Sequence, residues 1–226
     1  MAKWGKVIVS ILLLPLCIGT ATALFKFLSR AGTAQEVWLP LALGLIGWTI
    51  VFFLMPKPMW LYVASHELTH AIWVKLFGGS VKSMQISAEG GNVVVDRDNF
   101  LITLAPYFFP LYAILVVAIY SVGNWIWNWA PQARLFYVLV GVAYAFHVTL
   151  TFHILRTKQS DITSQGWLFS SVIIFLGNTI LLLIGLPLLT GEVPLPKICR
   201  WWWQNSIEAY GWVFQTGAAW VSRIRA

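Results

Sequence analysis

Two histidines four residues apart, His66 and His70, lie inside an apolar run, and Glu67 directly follows the first of them. Residues four apart lie on one face of a helix, so both imidazoles can bind the same ion. A catalytic Zn²⁺ takes three protein ligands and keeps one position for water, whose proton the Glu67 carboxylate can accept as general base. The motif therefore predicts a hydrolytic site with one zinc ion per chain.

The composition makes these ionisable groups informative. The 226-residue chain is 59% hydrophobic and 10% charged, whereas a soluble domain carries about 25% charged residues. Long apolar runs with few charges indicate a polytopic membrane protein, in which ionisable side chains are costly and usually functional. The net charge of +7 fits basic residues that flank membrane segments, so the bilayer, and no nucleic acid, is the predicted partner.

Six apolar segments are each close to the roughly 20 residues that a helix needs to cross a bilayer. The predicted fold is therefore a polytopic α-helical membrane protein whose membrane-embedded domain covers residues 1–190. Pro106 and Pro110 should break or kink the fourth helix near its start. The six segments cover about residues 7–25, 37–55, 60–77, 100–122, 135–155 and 167–189.

A different pattern separates the third and fourth segments, over residues 78–99. Runs of β-forming residues lie on either side of Gly90 and Gly91, which predicts a hairpin or small sheet directly after the motif helix. An open sheet edge cannot face lipid. The hairpin should therefore lie at the membrane interface or be covered by protein.

Both ends of the chain allow an interpretation of their own. The first segment, with its basic start and Ala21–Ala23, resembles a signal peptide with a small-residue cleavage site. Retention as a membrane anchor is favoured, because the apolar run continues through Phe25 and further segments follow. The tail, residues 191–226, is rich in aromatic residues and has basic ends, which predicts helices that lie at the membrane surface.

The motif and its surroundings resemble the site-2 protease family of intramembrane zinc metalloproteases. The resemblance runs from Tyr62 to about Tyr112, through the motif, "KLFGGSVKSMQIS", a Gly-Gly-containing β segment and a proline-containing helix. It implies a bacterial-type zinc endopeptidase of the inner membrane that cleaves membrane-spanning substrates, with the β segment near the substrate path. His66 and His70 match the zinc histidines of the family, and Glu67 matches its catalytic glutamate.

The family's third zinc ligand is an aspartate in a later membrane helix, and Asp161 is the best match. It is the only acid between Asp98 and Glu192, and it precedes the sixth segment. The turn around it departs from the family pattern, because Ser160 replaces a proline and Ile162 replaces a glycine. These differences suggest a divergent branch. The alternative role for Asp161 is a helix N-cap.

Three further polar side chains lie in the later apolar segments. His147 and His153 lie about 120° apart on the fifth helix and cannot easily share one ion. Either can supply a third nitrogen ligand or stabilise a developing oxyanion, and packing is the alternative role for both. His153, closer in sequence to Asp161, is the better functional candidate. Asn178, in the sixth segment, can position the substrate backbone or bond to another helix.

Two other functions are compatible with the motif. A metalloprotease with an aqueous chamber would need a glutamate as third ligand, and Glu192 and Glu208 lie in the tail, outside the apolar segments. A non-catalytic metal-binding membrane protein or a transporter could use the same histidines. Transport would require polar groups in several helices, and here they are concentrated around one site. The sequence defines neither the substrate nor the oligomeric state.

Overall fold

The computed structural model describes residues 3–225, and most of these residues lie in helices. Residues 1, 2 and 226, which belong to the predicted membrane domain and tail, lie outside the described residues. The helices are α1 (Lys3–Arg30), α2 (Gln35–Leu54), α3 (Met59–Leu76), α4 (Phe100–Leu104), α5 (Leu111–Trp127), α6 (Ala133–Ile154), α7 (Ser160–Gln165), α8 (Trp167–Thr190) and α9 (Leu195–Arg225). Two strands, β1 (Val81–Ile86) and β2 (Gly91–Val95), form the sheet.

Several of these helices are suited to a bilayer. Among residues 3–225, four helical stretches are long and apolar enough to cross a membrane, and they contain α1, α2, α6 and α8; α4 and α5 together would make a fifth. Helix α3 is not among them, because three ionisable side chains of the motif lie within its 18 residues. A helical protein with several apolar helices is therefore confirmed, whereas six crossing segments stay a prediction.

The fourth predicted segment is broken near its start, as its prolines predict. Helix α4 ends at Leu104, a 3₁₀ turn covers Ala105–Tyr107, and α5 begins directly after Pro110. The two parts are bent by 79°. Since proline lacks a backbone N–H and its ring clashes with the preceding turn, a straight helix cannot continue through Pro106 and Pro110. The break brings the 3₁₀ turn against α3.

The predicted hairpin after α3 is also present. Strands β1 and β2 pair antiparallel, with Val81 opposite Val95 and Ile86 opposite Gly91, and the pairing is irregular near Ser83. Both strands contact α3. The hairpin is thus covered on one side by the helix that carries the motif.

Helices α1, α8 and α9 form one compact unit. Helix α9 runs antiparallel along α1, because the Trp202 indole N–H donates to Thr20 Oγ1 at 3.0 Å and the Tyr210 hydroxyl donates to the Leu12 carbonyl at 2.7 Å. The tail is therefore one 31-residue helix that packs on α1, where several helices were predicted. Its placement at the membrane surface stays a prediction.

The second unit covers residues 35–164 and contains the motif. Within it, α2 and α6 approach at two glycines. A Cβ at Gly44 would lie 2.1 Å from the Val138 carbonyl oxygen, and one at Gly141 would lie 2.3 Å from the Leu41 carbonyl oxygen. Any larger residue there would separate the helices. Small residues allow such close backbone contact between helices in membranes.

Helix α3 is fixed against α6 by a small apolar core. Tyr62 and Val63 of α3 are buried together with Phe146 and Leu150 of α6. Because the Tyr62 ring lies one helical turn before His66, this core sets the rotation of α3 about its axis. The motif side chains then face a cavity bounded by the hairpin and the end of α6.

Candidate metal centre

Three side chains from two distant parts of the chain converge at one point. His66 Nε2 lies 3.2 Å from Asp161 Oδ2 and 3.2 Å from His70 Nε2, and His70 Nε2 lies 3.6 Å from Asp161 Oδ2. His66 and His70 are one turn apart on α3, and Asp161 is in the first turn of α7, 95 residues after His66. This group can hold a metal ion.

The protonation of His70 shows why a cation suits this place. Its Nδ1 lies 2.9 Å from the Ile102 carbonyl oxygen, which can only accept a hydrogen bond. The Nδ1 must therefore carry the proton, and in the neutral ring Nε2 offers a lone pair. That lone pair faces another imidazole nitrogen and a carboxylate oxygen. A cation at the centre removes the repulsion between these electron pairs.

The separations of the donors fit a small tetrahedral ion. Ligands about 2.1 Å from a tetrahedral Zn²⁺ lie about 3.4 Å from one another. The three observed separations, 3.2, 3.2 and 3.6 Å, bracket that value. Two imidazoles and one carboxylate also match the composition of catalytic sites, which leave a fourth position open. The residues present therefore fit a zinc ion.

Asp161 is held in its charged form. Burial raises the pKa of this carboxyl, but its interactions with the neighbouring His66 and His70 rings lower it by more. The net pKa of Asp161, which lies in α7 outside the candidate spans, is well below its usual range. The Tyr107 hydroxyl donates to the same Oδ2 at 3.0 Å. The third donor is thus an oriented carboxylate at neutral pH.

The broken helix α4–α5 supplies the groups that orient two of the three donors. Asn99 caps α4, since its side-chain oxygen accepts from the backbone N–H groups of Leu101 and Ile102. The cap fixes the start of α4, and the Ile102 carbonyl then accepts from His70. Tyr107, in the 3₁₀ turn, is 1% exposed and bonds Asp161. Metal-binding histidines and carboxylates usually have such partners, which set their orientation.

Glu67 lines the same cavity of about 530 Å³ as the three donors. Glu67 as a whole is 7% exposed. Strand β2 begins directly against it, because a Cβ at Gly91 would lie 2.6 Å from Glu67 Cγ and 2.7 Å from Glu67 Oε1. Only glycine permits this approach. The hairpin therefore limits the positions that the Glu67 carboxylate can take.

The other polar side chains singled out from the sequence lie elsewhere. His147 is buried in α6, with Nε2 lacking a hydrogen-bond partner in the described part of the chain. His153, half-buried, packs its ring edge against Phe52, with 6.2 Å between the ring centroids. Asn178 belongs to the unit formed by α1, α8 and α9, and its side chain donates to the Ile174 carbonyl of its own helix. Of the described residues, the donor group that could hold a metal contains none of these three.

Tyr107 and the Ile102 carbonyl are site groups that the sequence did not predict. No spacing rule relates either of them to the motif. Tyr107 carries a weak signal, because it is a polar aromatic residue between Pro106 and Pro110 in a break of an apolar segment. A tyrosine at a helix break has a hydroxyl that needs a partner when buried.

We expect Tyr107→Phe to weaken Zn²⁺ binding by about 10-fold, because loss of an outer partner of a metal ligand typically lowers affinity by 10- to 100-fold. Competition of the purified protein with a fluorescent chelator would measure the dissociation constant. Tyr112→Phe is the matched control, since the Tyr112 hydroxyl donates to the Leu61 carbonyl and not to a metal ligand. Equal affinities for Tyr107→Phe and wild type would show that Asp161 does not need this hydrogen bond.

No family model, no curated protein and no solved structure matches this chain. The resemblance to site-2 proteases therefore depends on the motif and its surroundings alone and stays an expectation.

Proposed function

We propose that this chain is an intramembrane zinc endopeptidase, a divergent, bacterial-type relative of the site-2 proteases, that hydrolyses peptide bonds of membrane-spanning substrates. The observation that carries the proposal is the convergence of His66, His70 and Asp161 beside Glu67 in one cavity. The four or five apolar helices support a site within or next to a membrane. The inner membrane of a bacterium is the proposed location.

Zinc is the proposed metal because of the donor set. Imidazole nitrogen and carboxylate oxygen both suit zinc, and the group contains no thiolate that would favour a softer ion. Calcium and magnesium prefer oxygen donors in larger number. The two cysteines, Cys17 and Cys199, belong to the other unit of the chain, with α1 and α9.

The residues around the ion have separable roles in hydrolysis. Bound Zn²⁺ would supply Lewis acidity towards water and the substrate carbonyl. Glu67 accepts the proton of the attacking water and passes it to the leaving amine. The Ile102 carbonyl and the Tyr107 hydroxyl keep His70 and Asp161 in place throughout. Burial of Glu67 beside Gly91 keeps its carboxylate in the cavity that the three donors line rather than in bulk water.

The proposed substrate enters this cavity as an extended peptide. The hairpin forms one wall with residues 88–93, and the end of α6 and the start of α7 form another. A regular helix keeps its carbonyls in internal hydrogen bonds, so a membrane-spanning substrate must unwind locally before attack. Polar groups of the hairpin, such as Asn92, are available to the unwound backbone.

The proposal is tested by incubating the purified protein in detergent with a single-span reporter protein. Cleavage that stops with a zinc chelator and returns on addition of Zn²⁺ is the expected result. Mass spectrometry should place the cut within or near the apolar segment of the reporter. A panel of several unrelated single-span reporters, all uncut by the zinc-loaded protein, would contradict the proposal.

We expect Gly91→Ala to lower the cleavage rate by about 100-fold while zinc binding is unchanged. The added methyl group would overlap Glu67, whose flexible side chain must move away, and a displacement of about 1 Å can cost that much in rate. Gly47→Ala is the control, because a Cβ there has no neighbour within 4 Å. A Gly91→Ala variant with the full cleavage rate would show that Glu67 does not depend on this strand.

A further inference from the structure

Four buried polar atoms near the metal centre lack a hydrogen-bond partner within residues 3–225. Two belong to α3, the Tyr62 hydroxyl and His66 Nδ1, and two belong to α6, His147 Nε2 and Thr151 Oγ1. Tyr62, His147 and Thr151 are 3%, 8% and 5% exposed. An unpaired buried polar group is destabilising, so four of them near one metal centre require an explanation.

The four atoms belong to α3 and α6, two helices that share a buried apolar cluster. Tyr62 and His66 are one turn apart on α3, with 5.9 Å between their ring centroids. His147 and Thr151 are one turn apart on α6, so they share a face of that helix.

The apolar core between the helices brings these two faces together. Phe146 and Leu150, the sequence neighbours of the α6 pair, belong to the same buried apolar cluster as Tyr62. The Tyr62 side chain is near Thr151 without a hydrogen bond between them, and His147 is within electrostatic range of His66. The shared cluster therefore brings the parts of α3 and α6 that carry these polar atoms together, next to His66.

As a metal ligand, His66 would need a hydrogen-bond acceptor for its second ring nitrogen. If His66 binds the ion through Nε2, its Nδ1 carries a proton and must donate it to an acceptor. Metal-binding histidines almost always donate this second N–H to a carbonyl, a carboxylate or a water. The acceptor for His70 is the Ile102 carbonyl. His66 has no such protein acceptor within hydrogen-bonding distance in the described residues.

We propose that Tyr62, His147 and Thr151 hold an ordered water that accepts the Nδ1–H of His66, and that His147 is thereby a positioning residue for this metal ligand. The inference rests on the proposed metal site. The water accepts from His66 and donates to His147 Nε2 and to Thr151 Oγ1, while the Tyr62 hydroxyl donates to the second lone pair of the water. Four partners match the two to four hydrogen bonds that buried waters typically make.

The test is the dissociation constant of Zn²⁺ for purified variants, measured by chelator competition. His147→Leu should weaken zinc binding by about 10- to 100-fold, because the water loses a partner and His66 loses its orientation. His147→Gln, which again offers polar atoms, should bind zinc with an affinity close to that of the wild type. Thr151→Val, which keeps the shape and removes the hydroxyl, should weaken binding in the same direction as His147→Leu.

His153→Leu is the control, because His153 lies on the same helix but packs on Phe52 outside this group. It should leave zinc affinity unchanged. Size-exclusion profiles and thermal midpoints show whether each variant is folded. If His147→Leu does not fold, the zinc affinity of a folded Thr151→Val variant tests the inference instead.

Wild-type affinity in folded His147→Leu and Thr151→Val would overturn the inference while leaving the metal site intact. Complete loss of zinc in His147→Leu, equal to that in His66→Ala, would also overturn it, because His147 would then be a ligand. A wild-type protein that binds no zinc would instead refute the proposed function itself.

Discussion

Glu67→Gln is expected to lower the rate of substrate cleavage by about 10²- to 10⁴-fold, the usual contribution of a general base. The amide has nearly the same shape as the carboxylate, but it cannot accept a proton at neutral pH. The cleavage of a single-span reporter measures the rate, and metal analysis measures the zinc content of the same preparation. Zinc content should not change, since Glu67 is outside the donor group.

Glu89→Gln is the matched control for this experiment. Glu89 also lines the cavity but is exposed at the tip of the hairpin. The control should cleave at the wild-type rate. A Glu67→Gln protein that retains full activity would exclude Glu67 as the base, and one that loses zinc together with activity would place Glu67 among the metal ligands. Loss of cleavage with retention of zinc also distinguishes a protease from a transporter or a metal-binding scaffold. In those two classes of protein, nothing would make Glu67→Gln remove one activity and leave zinc binding unchanged.

Asp161→Ala should remove most of the zinc affinity, by more than the roughly 100-fold that marks loss of an outer partner of a ligand. Two imidazoles remain, and two nitrogen donors are too few for a catalytic zinc site. Chelator competition gives the dissociation constant, and cleavage should disappear in parallel. The Tyr107 hydroxyl loses its acceptor in this variant, so a thermal unfolding curve should accompany the measurement.

Two further variants make the Asp161 result specific. Asp161→Asn keeps an oxygen that can accept from Tyr107 but removes the negative charge, so it should bind zinc weakly and remain folded. Asp98→Asn is the control, because Asp98 lines the cavity and accepts from the Thr103 hydroxyl without contacting the donor group. Zinc bound to Asp161→Ala with wild-type affinity would contradict the assignment and turn attention to His153 or His147 as the third ligand.

The sequence predicted the local parts of the site and could not predict its distant parts. The positions of His66, Glu67 and His70 follow from spacing within one helix, which any regular α-helix reproduces. Asp161 lies 95 residues away from His66, and only the resemblance to a family pointed to it. The structure brings it to 3.2 Å from His66, although the turn around it lacks the family's proline and glycine.

The groups that hydrogen-bond to the candidate metal ligands could not be predicted from the sequence either. Tyr107 and Ile102 reach the donor group because α4 and α5 are bent by 79°. Proline chemistry predicted that break, but not the direction of the bend, which depends on packing of the 3₁₀ turn against α3. A carbonyl group such as that of Ile102 has no sequence signature at all.

The difference between α3 and the other predicted membrane segments has a physical reason. Six apolar runs predicted six crossing helices, yet α3 has too many ionisable groups for its length to rank with α1, α2, α6 and α8. Metal binding and hydropathy make opposite demands on this helix, because the groups that could hold a metal are those that a bilayer disfavours. Burial against α6 and the hairpin provides the polar and protein-lined environment that these side chains need.

We propose that lone pairs of His66, His70 and Asp161 meet around a divalent cation. The most direct test is the zinc content of protein purified gently in detergent, measured by mass spectrometry for the wild type and for His66→Ala. We expect close to one zinc ion per wild-type chain and almost none in the variant. A folded wild-type protein that carries no metal, and takes up none from added Zn²⁺, would contradict this proposal.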